Sequence, residues 1–217
     1  MKKKISLIVI IVLLGMIIFI KPKNTFKKEY ESLNGKTNDN GKTYLNVNIS
    51  KDNPVEYADY KKVFEVLDKS GIIYFGFSEC PWCRNAVPVL LDAAKETGVE
   101  KIYYMNNLND RDIKKLENNE IVTEKEGTKN YKKLLKKLGD KASVYEGLND
   151  DNIKRLYFPT VVVVKNGKIT DYIVGTVDAQ KDPYKKLTKS QKKELKEKYV
   201  KAMSATLTCS LNAEEKC

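Results

Sequence analysis

Histidine is absent from this chain of 217 residues. Its absence excludes catalytic triads and dyads built on an imidazole base, and it excludes zinc sites that use histidine ligands. Arginine is scarce, because Arg84, Arg111 and Arg155 are the only arginines among 40 basic residues. Proteins that recognise a specific nucleic-acid sequence rely on arginine. The formal net charge of +11, which comes mostly from lysine, therefore indicates a solvated, lysine-coated surface and no nucleic-acid partner.

The chain is long enough for one globular domain, since 41% of its residues are hydrophobic and 32% are charged. It contains four cysteines, Cys80, Cys83, Cys209 and Cys217. A zinc ribbon would need a second Cys-x-x-Cys pair, and the spacing of Cys209 and Cys217 does not supply one. We therefore expect neither a metal nor a cofactor.

The pattern of the N-terminus predicts a membrane-targeting segment. Lys2–Lys4 precede an uncharged apolar run over residues 5–20, and Lys21-Pro22-Lys23 follows it. The run is slightly shorter than a bilayer core, a difference that lysine snorkelling or local thinning accommodates. No small-residue cleavage site follows, which favours an uncleaved single-pass anchor over residues 1–23; a cleaved secretory signal is the alternative. The preceding lysines predict a cytoplasmic N-terminus and an extracytoplasmic main domain, where disulfides persist.

The remaining chain divides into a linker and a domain. Residues 24–41 are polar with Asn-Gly turn signals, which predicts a juxtamembrane linker. Residues 42–217 alternate predicted strands and helices, which predicts an α/β fold with a central mixed sheet flanked by helices. The strands are expected at residues 43–49, 72–77, 101–105, 160–165 and 168–174, and the helices at 55–69, 81–97 and 188–207. Residues 109–157 are expected to form a mostly helical insertion.

The motif that carries chemistry is Cys80-Pro81-Trp82-Cys83, between a predicted buried strand and the following helix. At a helix N-terminus, unpaired N–H groups and the helix dipole stabilise a thiolate, so Cys80 is the predicted nucleophile and the more exposed sulfur. Cys83, about one turn later, is placed to resolve a mixed disulfide. Arg84 adds positive potential to the motif and Glu79 opposes it.

From about Tyr44 to Leu207 the chain resembles the thioredoxin superfamily, and the sequence around the motif is similar to the bacteriocin-transport-accessory branch. The matching elements follow one another in order: Ile72–Phe75, the Cys80–Cys83 motif, Pro88, Phe158-Pro159-Thr160, Asn166-Gly167 and Gly175. The resemblance implies a thioredoxin-like fold in which Pro159 is cis and lies beside Cys80. It also implies that Phe158, Pro159 and Thr160 bind substrate, together with Trp82, for which a structural packing role is the alternative.

The chain departs from the thioredoxin pattern at three positions. Tyr74 occupies the place of a buried aspartate, which leaves open the group that moves protons to and from Cys83. Trp82 lies between the cysteines, where better-known members have proline or histidine. Phe158 is bulkier than the usual residue before the cis-proline and narrows the expected substrate groove.

The C-terminal tail contains the other two cysteines. Cys209 and Cys217 bracket a short loop directly after the last predicted helix. We interpret them as a structural disulfide that stabilises the terminus by about 2–3 kcal/mol. A second redox pair that exchanges with Cys80 is the alternative, but nothing nearby in the sequence activates either sulfur.

Together these patterns predict a membrane-anchored, extracytoplasmic thiol-disulfide oxidoreductase. It would act as a monomer on protein thiols and disulfides, and a separate redox partner would regenerate it. A non-catalytic thioredoxin-like accessory module for peptide or bacteriocin export is one alternative. A basic protein that binds an anionic lipid or nucleic-acid surface is another.

Overall fold

The computed structural model describes the backbone of residues 25–207 and the side chains of residues 25–204. The predicted membrane anchor at residues 1–23 lies outside the described residues, and so do Cys209 and Cys217. Within the described part of the chain, no helix is both long enough and apolar enough to cross a bilayer.

The described chain contains five α-helices and nine β-strands. The helices are α1 (Thr25–Glu31), α2 (Tyr60–Asp68), α3 (Pro81–Thr97), α4 (Lys129–Leu138) and α5 (Lys189–Leu207). The strands are β1 (Val55–Tyr57), β2 (Gly71–Phe75), β3 (Ile102–Met105), β4 (Ile113–Glu117), β5 (Glu120–Lys125), β6 (Ser143–Val144), β7 (Lys154–Arg155), β8 (Thr160–Lys165) and β9 (Lys168–Val174). Short 3-10 turns lie at Leu108–Asp110 and Gly139–Lys141.

A five-stranded mixed sheet forms the centre, in the order β1-β3-β2-β8-β9. Strands β1, β3 and β2 are parallel, β8 is antiparallel to β2, and β9 is antiparallel to β8. Asn166 and Gly167 join the last two strands with φ of +50° and +72°, which a two-residue hairpin turn of this hand requires. The predicted α/β fold with a mixed sheet flanked by helices is confirmed.

Both faces of the sheet are covered by helices. Successive residues of β2 alternate between the two faces, with Ile72 and Tyr74 on one and Ile73 and Phe75 on the other. Helices α1, α3 and α5 pack on the first face, and α2 and α4 pack on the second. Because β2 is buried on both sides, it gives the loop at its C-terminal end a rigid support.

Residues 24–41 differ from the predicted linker, because they include helix α1. Its Phe26 and Tyr30 lie one turn apart and are buried in the core beside Tyr74 and Tyr104. Because the segment is mostly polar, its composition did not predict that these two aromatic side chains would be buried. Burial of an aromatic pair stabilises a helix that is too short to form alone.

Residues 43–49 do not form the predicted strand, apart from a single bridge between Thr37 and Thr43. Val47 and Ile49 are buried, as the alternation predicts. Their backbone groups bond to side chains instead of to a neighbouring strand. The Val47 N–H donates to Asn34 Oδ1 at 2.9 Å, and the Ile49 N–H donates to a Glu31 carboxylate oxygen at 2.8 Å. Side chains from α1 and its C-terminal turn thus replace the ladder.

The expected helical insertion at residues 109–157 is only partly helical. Its helical segments are α4 and the two 3-10 turns. Strands β4 and β5 form a hairpin, and Asn118 and Asn119 in its turn have φ of +51° and +64°. Asparagine tolerates this conformation better than other non-glycine residues, so the Asn-Asn pair was a signal for a turn.

Candidate functional site

The two cysteines of the motif lie at the N-terminus of α3, which is joined to the central strand β2 by a short loop. Cys80 is the N-cap residue, and its Sγ accepts a hydrogen bond from the Cys83 backbone N–H at 3.1 Å. Pro81 occupies the first turn, where its missing N–H costs nothing. Both cysteines are free thiols. Cys80 is 4% exposed and Cys83 is 0% exposed, so Cys80 is the more accessible sulfur but is itself largely covered.

The environment of Cys80 favours its thiolate. Burial alone raises the pKa of the Cys80 thiol, but the Cys83 thiol, the backbone N–H groups of Cys83 and Trp82, and the positive charge of Arg111 act in the opposite direction. The net result is that the pKa of Cys80 lies below the ordinary thiol value. A helix N-terminus is expected to do this to a cysteine.

The environment of Cys83 favours its protonated thiol. Burial is the main reason why its pKa lies well above the ordinary value, and the adjacent Cys80 sulfur adds to the effect. The backbone of Phe77 and the Tyr74 hydroxyl partly offset the rise in the pKa of Cys83. One motif therefore contains a thiol whose pKa is lowered and a thiol whose pKa is raised.

Two buried tyrosines accompany Cys83. The Tyr30 and Tyr74 hydroxyls lie 2.9 Å apart, and both side chains are fully buried. Burial, followed by the proximity of Cys83, raises the pKa of each phenol well above its ordinary value, so both stay protonated. Gly76 makes room for this pair, because a Cβ at that position would lie 2.3 Å from the Tyr74 hydroxyl oxygen.

The predicted substrate-binding segment lies beside Cys80. The Cys80 thiol donates to the Phe158 carbonyl oxygen, with 3.8 Å between sulfur and oxygen, and the Phe158–Pro159 peptide bond is cis. The Phe158 ring is partly exposed and packs edge-on against Phe77. Pro159 is buried next to it. Thr160 is fully buried and donates its hydroxyl to the Tyr157 carbonyl, so its side chain serves the loop itself.

Trp82 contributes packing as well as a backbone group. Its side chain is partly buried against the same core cluster that contains both cysteines. Its backbone N–H is one of the groups that lower the pKa of Cys80. The structural interpretation of Trp82 and the substrate-contacting one are both compatible with this position.

Arg111 and Arg155 were not among the site residues predicted from the sequence. Arg111 donates from Nη1 to the Leu156 carbonyl at 3.1 Å, and its guanidinium carbon lies 4.5 Å from the centre of the Phe158 ring. The guanidinium of Arg155 lies over the Tyr145 ring at 4.2 Å and 5.9 Å from the Tyr157 ring. The signal that could have identified them was rarity, since a chain with 40 basic residues places two of its three arginines here.

Arg84, the third arginine, has a structural position. It is 2% exposed and donates to the carbonyls of Leu45, Tyr30 and Ser78 and to the Asn34 side chain. These bonds join the residue after Cys83 to the N-terminal segment. The geometry supports a role in holding α1 against the cysteine helix.

The arrangement as a whole pairs an activated sulfur with a buried partner sulfur, next to a carbonyl and a half-buried aromatic ring.

In comparisons with known protein families and with curated proteins, the chain matches no family model and no curated sequence.

Proposed function

We propose that the chain is a thioredoxin-like thiol-disulfide oxidoreductase in which Cys80 is the nucleophile and Cys83 the resolving cysteine. One observation carries the proposal: the Cys80 sulfur caps the N-terminus of α3 and accepts the Cys83 backbone N–H at 3.1 Å, while Cys83 is fully buried one helical turn away. In agreement with this geometry, the pKa of Cys80 is lowered and that of Cys83 is raised. An exchange enzyme needs this difference, because one sulfur must attack as a thiolate and the other must wait.

The fold supports the same interpretation. The cysteines lie at the N-terminus of α3, which follows the central strand β2. The Phe158 carbonyl lies against the Cys80 sulfur. A mixed sheet with helices on both faces is compatible with the thioredoxin-like fold that the sequence motifs imply. The predicted anchor at residues 1–23 adds an extracytoplasmic location at the cell membrane to the proposal.

The exchange proceeds in two balanced steps. The Cys80 thiolate attacks one sulfur of a substrate disulfide, forming an enzyme–substrate mixed disulfide and releasing the other substrate sulfur as a thiolate. Cys83 then loses its proton and attacks the Cys80 sulfur, which forms the Cys80–Cys83 disulfide and releases the second substrate thiol. The substrate gains two electrons and the enzyme loses two. Run in reverse, the same steps oxidise a substrate dithiol.

An assay with insulin tests the proposal. The full-length protein, supplied with dithiothreitol, should reduce the interchain disulfides of insulin, and Cys80→Ser should abolish this activity. Cys83→Ser should instead retain substrate proteins on Cys80 as mixed disulfides that dithiothreitol releases. A Cys209→Ser/Cys217→Ser variant is the matched control and should keep the activity. If the full-length protein shows neither reductase nor oxidase activity and Cys83→Ser traps no protein, the proposal is wrong.

The 4% exposure of Cys80 favours a second candidate, an accessory module for peptide export whose cysteines are structural. In that case the fold would offer a peptide groove without chemistry. Complementation separates the two candidates. A Cys80→Ser gene that fully restores a deletion strain would select the accessory module, and one that fails while its protein is folded and abundant would select the enzyme.

A further inference from the structure

Arg111 and Arg155 bracket the segment that precedes Pro159. Arg111 bonds to the Leu156 carbonyl and lies against the Phe158 ring, while Arg155 lies near the Tyr157 ring. The Phe158 carbonyl in turn lies 3.8 Å from the Cys80 sulfur. Both guanidinium groups and the Cys80 thiol therefore lie against the same short segment, residues 156–158.

Neither guanidinium forms an ion pair within the described side chains. Every ion pair between residues 25 and 204 uses lysine as its cation. Arg111 Nε is buried and has no hydrogen-bond partner. Unpaired buried donors are rare in folded proteins, and a bound ion or ligand is one of the groups that satisfy them.

The two arginines also repel each other. Burial, followed by the charge of Arg155, lowers the pKa of the Arg111 guanidinium, and Asp112 only partly offsets this. The Asp112 carboxylate is 3.9 Å from the Lys114 ammonium, and Glu79, beside Cys80, is exposed. A bound anion would relieve the repulsion between the arginines and satisfy the free donor.

We infer that Arg111 and Arg155 form a carboxylate-binding subsite that selects substrate peptides with an acidic residue beside the reacting cysteine. The inference rests on the proposed function. Arginine binds carboxylates through two parallel hydrogen bonds, which fixes the orientation of a peptide as well as its charge. The net charge of +11 favours the approach of an acidic partner over a basic one.

Two matched peptides test this subsite. Each contains one cysteine protected as a neutral 2-pyridyl disulfide, and they differ only in a glutamate or a glutamine next to that cysteine. Attack of the Cys80 thiolate on the peptide sulfur releases pyridine-2-thione, whose absorbance reports the second-order rate. We expect the glutamate peptide to react about tenfold faster with the reduced full-length protein, because hydrogen bonds to charged groups are the stronger ones.

Variants then assign the preference to the two arginines. Arg111→Gln and Arg155→Gln should each bring the rate ratio of the two peptides close to one, and Arg111→Lys should give an intermediate ratio. Any change in Cys80 reactivity cancels in this ratio. Lys136→Gln, an exposed change outside the site, should keep the full preference. Circular dichroism identifies a variant that has not folded, and Arg155→Gln then replaces Arg111→Gln as the deciding variant.

The outcomes separate the two claims. Equal rates for both peptides with the unmodified protein overturn the carboxylate subsite and leave the oxidoreductase proposal standing. A preference that survives both glutamine variants also overturns the subsite. If neither peptide reacts although free dithiothreitol releases pyridine-2-thione from both, the proposed function fails and the subsite fails with it.

Discussion

The hydroxyl groups of Tyr30 and Tyr74 lie 2.9 Å apart in the fully buried layer that also contains Cys83. Tyr74 lies on the central strand and Tyr30 on the short helix α1, so the contact joins residues 44 positions apart. The Tyr74 hydroxyl is one of two groups that lower the otherwise raised pKa of Cys83. It therefore eases the ionisation that Cys83 needs in the second exchange step.

We predict that Tyr74→Phe slows the release of substrate from the mixed disulfide. Without the hydroxyl the pKa of Cys83 rises further, and each unit lowers its thiolate fraction about tenfold, so we expect a slowing of about three- to tenfold. Rapid-mixing measurement of peptide release separates this step from the initial attack, which should keep its rate. Tyr30→Phe is the comparison, since it removes the hydrogen-bond partner of Tyr74 and keeps the Tyr74 hydroxyl that lowers the pKa of Cys83. An unchanged release rate in Tyr74→Phe would show that the tyrosine has no part in resolution.

Gly76→Ala should reproduce this defect and destabilise the protein. Its Cβ would lie 2.3 Å from the Tyr74 hydroxyl oxygen, and Tyr74 is fully buried. We expect the free energy of unfolding in urea to fall by about 1–3 kcal/mol, as for other overpacked cores. Gly98→Ala is the matched control, because φ there is +71° and no atom lies within 4 Å of the added Cβ. Gly98→Ala should lose stability through backbone strain while peptide release stays normal; equal release rates in both variants would contradict the packing argument.

The reaction of Cys80 with iodoacetamide should extend to lower pH than that of an ordinary cysteine. The lowered pKa means that the thiolate persists as pH falls, and the reaction rate follows the thiolate fraction. Arg111→Gln removes a positive charge that stabilises the thiolate, so the pH at half-maximal rate should rise. Lys136→Gln should leave that pH unchanged. A pH midpoint for the unmodified protein at or above that of a free cysteine peptide would contradict the assigned environment.

Arg84 makes a prediction about stability that does not depend on function. Arg84→Ala leaves the carbonyls of Leu45, Tyr30 and Ser78 without this donor, so we expect the free energy of unfolding to fall by about 3 kcal/mol or more. Arg84→Lys keeps the charge without the planar fork and should fall between alanine and arginine. Urea unfolding measures the series, with exposed Lys136→Ala as the neutral control. If Arg84→Lys has the same free energy of unfolding as the unmodified protein, the charge of residue 84 and not its hydrogen-bond geometry holds the N-terminal segment.

Local patterns in the sequence predicted the elements nearest the motif. Helix α3 is bounded by Pro81 in its first turn and by Gly98, in the left-handed conformation, at its C-terminus, and the structure has it over the predicted residues 81–97. The four valines of β8 and the Asn166-Gly167 turn likewise predicted the last hairpin. In each case the signals lie within a few residues of the element that they define.

The features that the sequence could not predict depend on distant contacts. Arg111 and Leu156 are 45 positions apart, and their hydrogen bond requires the insertion between them to fold back on itself. Residues 43–49 have the alternation of a strand, but the Asn34 and Glu31 side chains take the backbone hydrogen bonds that would otherwise form a ladder. Periodicity reports which side chains are buried and carries no information about which group satisfies the backbone.

Mass spectrometry after brief exposure to oxidised glutathione tests the central claim most directly, namely that Cys80 attacks and Cys83 resolves. We predict that folded Cys83→Ser rapidly gains a glutathione adduct on Cys80, that Cys80→Ser leaves Cys83 unmodified, and that the unmodified sequence forms an internal Cys80–Cys83 disulfide. An adduct on Cys80 that forms only after the protein is unfolded in urea would contradict the claim, because the sulfur would then be closed to substrates in the native state.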